Sequence, residues 1–296
     1  MKYVITGGAG HTAKPIVTAL LDAGQEVKVI GRTADNLKEL VKKGAVAAIG
    51  SVDDADFLKK SFAGADAVYT LVPPNLQVAD WKGYIGQIGI NYTSAIRSSG
   101  ISHVVNLSSV GSHMPEGAGP VSGLHNVEES LNQLADVNII HLRPGYFFEN
   151  LFGSLAMVKN MNLLGSNYGA AVRMVLADPD DIATVAVEEL LHLNFKGHSI
   201  RYICSDERTT GEIAQVLGKA VGKPDLSWVE FTDEQSISGL IQAGLSEEIA
   251  KNFTEMGTAL RSGKMVEDYW KQHPDHLGQT KLEDFAKKFA AAYNTN

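Results

Sequence analysis

One cysteine, Cys204, is all that 296 residues contain. An internal disulfide is therefore excluded, and a reducing, cytoplasmic setting is expected. Within Ile200-Arg201-Tyr202-Ile203-Cys204 the thiol reads as a small buried hydrophobe rather than a nucleophile. Positive charge is also in deficit, with 26 Lys and Arg against 34 Asp and Glu for a net charge of -8. Nucleic acid is thus not an expected partner, because non-specific binding to it rests on basic patches. No apolar run approaches the length of a membrane span, and the first strand starts so close to Met1 that a signal peptide has no room, so no membrane association is expected. Repeats, low-complexity tracts and G-x-S-x-G are missing, which argues against solenoids, disordered tails and α/β hydrolases. His273-Pro274-Asp275-His276 contains a proline and has no third ligand nearby, so it reads as a surface turn and no metal site is expected.

What is present begins at once. Tyr3-Val4-Ile5 reads as a buried strand, Thr6-Gly7-Gly8-Ala9-Gly10 as a tight turn, and Ala13 to Leu21 as a helix. Glycines there permit a turn that a Cβ forbids and let the main chain approach a pyrophosphate, while Ala13 lets helix pack on strand. Free amides at the helix N-terminus then face the phosphates. Gly8, Gly10 and Ala13 fit one register of the dinucleotide fingerprint; Gly7, Gly10 and Ala13 fit another, which we prefer because it places Thr6-Gly7 at the strand end. The second strand, Glu26 to Gly31, ends in Arg32-Thr33 where an NAD site usually carries a carboxylate, so NADP(H) is expected over NAD(H). Asp53 or Asp54, after the third strand, reads either as an acceptor for the adenine amino group or as a helix N-cap. Leu71, Val72 and Pro73 end the fourth strand and are expected beside the cofactor.

Strands and helices keep alternating through Ser109, and a sixth strand follows at Val137 to Leu142. The expected fold class is α/β, a Rossmann-type doubly wound parallel sheet with a smaller, mainly helical C-terminal substrate lobe. The expected domains are a nucleotide-binding domain at 1–145, resuming at about 177–204, and a substrate-covering lobe at 146–176 and 205–296. Gly111 to Gly123 reads as a mobile Gly/Pro-rich loop, and Gln77 to Ser99 as a helix weakened by Gly83, Gly86 and Gly89.

The Thr6-Gly7-Gly8-Ala9-Gly10 loop, Gly31-Arg32, His125-x-x-x-Glu129-x-Leu131 and especially Leu142-Arg143-Pro144-Gly145-Tyr146-Phe147-Phe148-Glu149-Asn150 resemble the NmrA-like, atypical branch of the short-chain dehydrogenases. That branch includes NADPH-dependent quinone reductases and triphenylmethane-dye reductases. The resemblance implies an NADP(H) site with Gly7, Gly10, His11, Thr12 and Arg32 on the phosphates and Pro144, Gly145, Tyr146 and Phe147 near the nicotinamide. Thr6, Gly8, Thr33 and Ser108 complete the expected cofactor set. The Tyr-x-x-x-Lys pair of ordinary short-chain dehydrogenases is missing after the fifth strand, although Ser108 or Ser109 matches their serine.

Reducing a simple ketone creates a basic alkoxide that needs a proton donor, whereas a quinone or cationic dye yields a stabilised product that water can serve. The expected activity is NADP(H)-dependent hydride transfer to a flat, electron-poor acceptor, a quinone above all. Ser108, His125 and Tyr146 are the residues expected to act on it. His125 reads either as a proton donor or as an ordinary helix histidine satisfied by solvent or Glu129. Tyr146, Phe147 and Phe148 read as aromatic walls or, in part, as core. The rival expectation is a non-catalytic redox sensor that binds NADP(H) and regulates a protein partner, as some NmrA-like proteins do.

Overall fold

The structure is a computed structural model and describes residues 1–295. In order, the elements are β1 (Lys2–Ile5), α1 (Ala13–Asp22), β2 (Glu26–Gly31), α2 (Ala34–Lys42), β3 (Val46–Ile49), α3 (Ala55–Phe62), β4 (Ala67–Thr70), α4 (Trp81–Ser99), β5 (His103–Leu107), α5 (Pro120–Leu131) and β6 (Asn138–Pro144). They continue with β7 (Tyr146–Phe147), α6 (Leu155–Met161), β8 (Leu163–Ser166), β9 (Arg173–Ala177), α7 (Pro179–His192), β10 (His198–Ile203), β11 (Asp206–Thr209), α8 (Thr210–Ala220) and β12 (Ser227–Glu230). Four helices close the chain: α9 (Asp233–Gln242), α10 (Glu247–Arg261), α11 (Glu267–Lys271) and α12 (Leu282–Thr295). Packing divides the chain into two compact units. One comprises Met1–Ser109, Gly123–Arg143 and Ile182–Arg201; the other comprises Val110–Ser122, Pro144–Asp181 and the chain from Tyr202 onward.

The first unit is built on a seven-stranded parallel sheet in the order β10-β6-β5-β4-β1-β2-β3. Both faces of its centre are covered, which is why β4 is buried at every position and β1 at every position after Lys2. The chain runs outward from β1 through β2 to β3, then returns to β4 on the other side of β1. Such a reversal opens a crevice at the carboxyl ends of the strands, here those of β1 and β4. This is a Rossmann-type doubly wound fold.

Helix α1 buries Ala13, Ile16, Val17 and Leu20, the one-sided spacing that seats a helix on a sheet. The glycines of α4 have a packing reason. A Cβ on Gly89 would lie 2.7 Å from the Val127 Cα, and one on Gly86 would lie 3.3 Å from the Asn126 Cβ. From the other side, a Cβ on Gly123 would meet the Ile85 Cβ at 2.8 Å. The propensity lost in α4 thus goes with a close approach to α5. Helix α5 itself starts at Pro120, inside the stretch expected to be loop. Proline suits the first helical position because the N–H it lacks there would have no intrahelical partner.

The second unit is mainly helical but also carries two small sheets, β11-β9-β7 and β12-β8. Its core centres on Phe148, fully buried and stacked on Phe285 of α12 at 5.4 Å between ring centroids. Phe152 lies 5.1 Å from Phe285 and 6.1 Å from Phe289. Cys204 is buried here, its Sγ donating to the Asp206 carbonyl at 3.3 Å, and burial pushes the thiol up to about 11. Among the described residues no helix is long and apolar enough to cross a membrane. Likewise no group of three or more His, Cys, Asp and Glu among them is placed to hold a metal.

Candidate functional site

The turn after β1 has the backbone its sequence requires. Gly7 and Gly8 have φ of +87° and +51°, in the left-handed region that an L side chain rarely enters. The Gly10 N–H donates to the Gly7 carbonyl at 2.9 Å and closes the loop. A Cβ on Gly10 would stand 3.1 Å from that same carbonyl, and one on Gly8 3.1 Å from the Ile30 carbonyl. Helix α1 follows with no side-chain cap and no acidic residue in its first turn, which leaves the positive end of its dipole unneutralised by its own side chains.

Two threonines expected in contact with the cofactor are structural at their side chains. Thr6 is buried and its Oγ1 accepts from the Leu71 N–H at 3.0 Å, so its hydroxyl ties the end of β1 to that of β4. Tyr92 of α4 reinforces the tie by donating to the Leu71 carbonyl at 2.6 Å. The Thr12 hydroxyl is likewise buried and lies 3.5 Å from the Tyr69 hydroxyl, leaving the main chain as what Thr12 offers a ligand. His11 is exposed on the loop, while Leu71, Val72 and Pro73 are half-buried at the end of β4.

At the end of β2, Arg32 is exposed and takes part in no ion pair among the described residues. Thr33 occupies the N-cap position of α2 but makes no capping bond through its side chain. Of the two acids after β3, one is a helix cap. Asp54 caps α3, its Oδ1 accepting from the N–H groups of Asp56 at 3.0 Å and Phe57 at 2.9 Å. Asp53 is left over: its carboxylate accepts from the Ser51 hydroxyl at 2.9 Å, and its carbonyl from Asn91 Nδ2 of α4 at 3.0 Å. Tyr84 of α4 was not singled out by the sequence. Its phenol is held above its ordinary range by burial and then by the neighbouring Asp53 carboxylate, with Asn75 and Arg32 acting the other way.

At the carboxyl end of β5 the structure assembles a buried ionic group. Ser108 donates to Glu128 Oε1 at 2.5 Å, and Arg143 donates to the same carboxylate through Nε at 3.0 Å and Nη2 at 2.6 Å. Glu128 and Arg143 side chains are each 5% exposed. Sequence reasoning named Ser108 and missed Glu128, yet a signal existed. Position 128 lies seven residues after Val121 and three before Leu131, on the buried face of α5, and Arg143 sits in a buried strand that demands a counter-charge. His125 is half-buried one turn earlier on α5, and Glu129 is exposed. Beneath this group a neutral chain crosses the sheet. Thr70 donates to Asn106 Oδ1 at 2.9 Å, Asn106 Nδ2 lies 3.1 Å from His141 Nδ1, and His141 Nε2 lies 3.0 Å from Asn132 Oδ1. Burial lowers the His141 pKa to about 4, so at neutral pH the ring accepts from Asn106 and donates to Asn132.

Pro144, Gly145, Tyr146 and Phe147 belong to the second unit. Gly145 is required there by the backbone, since a Cβ would meet the Val175 carbonyl oxygen of β9 at 2.3 Å. Tyr146 and Phe147 are half-buried, and of the three consecutive aromatics only Phe148 is wholly core. Burial drives the Tyr146 phenol well above its usual pKa, so this side chain stays protonated and is unsuited to be a base. The second unit has its own open cavity of about 520 Å³, lined by Val172, Arg173, Leu260, Arg261 and Trp270 among others. Arg173 packs on Trp270 there, 4.0 Å from the ring centroid. None of the residues expected to act on substrate lines it.

Residues 2–286 match the NmrA-like family. The NAD(P)H azoreductase of Xenophilus azovorans is 23% identical over 292 residues, covering 98% of each chain. The triphenylmethane reductase of Citrobacter sp., solved in complex with NADP(H), superposes with a TM-score of 0.80 at 19% identity, over 97% of this chain and 99% of that one. An NADPH-dependent quinone oxidoreductase of Escherichia coli, complexed with NADPH, gives 0.76 at 14% identity over 97% and 99%. At such identities the structural likenesses speak to the fold alone. The sheet order, the glycine turn at its switch point and a family match over nearly the whole chain make this protein a member of the NmrA-like family.

Proposed function

We propose that the protein is an NAD(P)H-dependent oxidoreductase that prefers NADP(H) and passes hydride to a flat, electron-poor acceptor of the quinone type. The observation that carries this reading is the pair of left-handed glycines, Gly7 and Gly8, set between a buried strand end and a helix N-terminus with neither side-chain cap nor acid. That cradle fits a pyrophosphate, whose approach a Cβ would obstruct. Gly7, Gly8, Gly10 and the amides leading into α1 would hold the phosphates. Arg32 and Thr33 would take a 2′-phosphate, and Asp53 the adenine edge. A bound reduced nicotinamide supplies the hydride equivalent.

The acceptor class follows from what the chain offers as proton donors. The Ser108 hydroxyl directs its proton to Glu128, and that carboxylate is held by Arg143, so Ser108 is poised to accept rather than donate. Helix α5 presents no tyrosine and lysine pair in the place where a ketone reductase needs one. An acceptor whose hydride adduct is a stabilised phenolate or a neutral leuco dye can take its proton from water, with His125 as the candidate donor. The activities of the azoreductase, triphenylmethane reductase and quinone oxidoreductase relatives support this choice.

The test is a panel of quinones, azo dyes, triphenylmethane dyes and simple ketones, scored by oxidation of NADPH and of NADH while cofactor binding is followed by fluorescence. Turnover with quinones or dyes and none with ketones is expected. Turnover confined to ketones would refute the acceptor assignment. Tight NADPH binding with no turnover across the panel would favour the redox-sensor reading instead.

A further inference from the structure

The second unit's own cavity, about 520 Å³ in volume, is lined by two opposite charges, Arg173 and Glu230, that do not pair with each other. Arg173, at the start of β9, makes one side-chain hydrogen bond among the described residues, from Nη2 to Glu207 Oε2 at 3.3 Å. Glu207 is engaged more closely elsewhere: its Oε1 accepts from the Tyr269 hydroxyl and lies next to His273 Nε2, both at 2.6 Å. The remaining N–H groups of Arg173 have no acceptor among the described residues. Trp270 steadies this guanidinium, whose central carbon is 4.0 Å from the ring centroid. Held in this way, its fork of donors matches the two oxygens of a carboxylate.

Glu230, at the end of β12, is exposed, and its carboxylate makes no hydrogen bond or ion pair among the described residues. Arg261, the other guanidinium in the lining, is committed elsewhere. Its Nη1 donates to the Asn167 carbonyl at 2.8 Å and to Asp233 Oδ1 at 3.1 Å, and its Nη2 faces Asp233 Oδ2 at 3.5 Å. Glu230 Oε2 instead lies beside Gly169, 2.6 Å from where a Cβ on that residue would stand. The stretch from Gly169 to Val172 is tied down by the start of α8. Thr210 Oγ1 donates to the Gly169 carbonyl at 2.7 Å, the Gly211 N–H to the Ala170 carbonyl at 2.9 Å and the Thr210 N–H to the Val172 carbonyl at 3.0 Å. This side of the cavity is therefore preformed, which spares a ligand the cost of ordering it. Val172, Leu260 and Val266 add apolar wall, the last two buried.

We propose that this cavity binds a small zwitterion with an apolar body, the chemistry shared by a free apolar amino acid and a short apolar peptide. Its carboxylate meets Arg173, its ammonium meets Glu230, and its side chain lies against Val172, Leu260 and Val266. A simple anion would face Glu230 as a like charge and a simple cation would face Arg173, so only a ligand of both signs satisfies both residues. The volume is that of an ordinary small-molecule site. Because neither NADP(H) nor its acceptor enters the argument, the inference stands apart from the reductase reading.

The experiment is ligand-observed NMR titration of the full chain, without cofactor, with L-phenylalanine, L-leucine and leucyl-leucine. Two truncated analogues accompany them: phenethylamine, which lacks the carboxylate, and 3-phenylpropionate, which lacks the ammonium. The zwitterions should bind with a Kd of about 1 mM or tighter, and each analogue at least about fivefold more weakly than L-phenylalanine. Arg173→Gln should weaken L-phenylalanine about fivefold without weakening phenethylamine, and Glu230→Gln should weaken it as much without weakening 3-phenylpropionate. Both side chains are exposed, so the melting midpoints of the variants should stay close to that of the unaltered protein. Either ranking of the zwitterions supports the proposal, tighter leucyl-leucine assigning the site to peptides and tighter single residues assigning it to free amino acids. Failure of every zwitterion to bind at about 10 mM overturns it. So does binding that neither variant weakens, or an analogue that binds as tightly as L-phenylalanine.

Discussion

Replacing Glu128 with Gln should be among the most damaging single changes in the first unit. The carboxylate receives hydrogen bonds from Ser108 at 2.5 Å and from Arg143 at 3.0 and 2.6 Å, and both partners of the ion pair are 5% exposed. Gln fills the same volume but removes the charge, so the buried Arg143 guanidinium loses the carboxylate that it binds through Nε and Nη2. Breaking a buried pair from one side costs about 3–5 kcal/mol, and the amide oxygen of Gln still accepts one bond, which argues for the lower end. For a domain of this size each kcal/mol moves the melting midpoint by about 2–4 °C, so a drop of roughly 6–12 °C is expected by calorimetry. Replacing both members with apolar residues of similar size, Glu128→Leu with Arg143→Met, should cost clearly less than the sum of the two single losses, because neither charge is then stranded. A shift below about 2 °C for Glu128→Gln, or strict additivity in the double variant, would refute the argument that Glu128 serves mainly as the buried counter-ion of Arg143.

His141 gives a pH signature. Burial depresses its folded pKa from 6.5 to about 4, so the unfolded chain takes up the proton first as pH falls. Stability is therefore full above about pH 6.5 and declines between there and pH 4, by at most roughly 3 kcal/mol from this group. The urea midpoint of His141→Gln should lose part of that slope, and an unchanged slope would count against the assignment. Gly89→Ala places a Cβ 2.7 Å from the Val127 Cα, a backbone atom that cannot turn aside. About 1–3 kcal/mol of destabilisation is expected in urea unfolding, and a neutral result would mean that α4 and α5 are less closely packed than described. Cys204, buried and with its thiol pushed up to about 11, should resist maleimide at neutral pH until the protein unfolds. Rapid labelling of the native protein would contradict that placement.

The first unit was legible because its chemistry is local. Tyr3-Val4-Ile5, Val27-Lys28-Val29-Ile30 and Val104-Val105 are β-branched or aromatic runs closed by glycine or polar turns, and such runs become central strands wherever they fall. The second unit was less legible. Its strand Asp206–Thr209 is the sequence Asp-Glu-Arg-Thr, which has no strand pattern of its own and is specified by antiparallel pairing with Arg173–Ala177. The ion pairs Arg173 with Glu207 and Arg208 with Glu283 then accommodate its charges. Helix α5 was placed from Leu124 because Gly111 to Gly123 looks like loop, yet Gly123 lies inside the helix as the point of contact with Ile85. At the candidate site the left-handed glycines were readable from position alone. Glu128 was not, because its importance comes from Arg143, distant in sequence and brought near by the sheet.

The most direct check of the NADP(H) assignment is titration of Arg32→Glu with both cofactors. Placing a carboxylate at the end of β2 removes the cation and supplies the acceptor that a 2′-hydroxyl prefers. NADPH affinity should fall more than about tenfold, with NADH affinity held or improved. Equal losses for the two cofactors would show that Arg32 does not meet the 2′-phosphate.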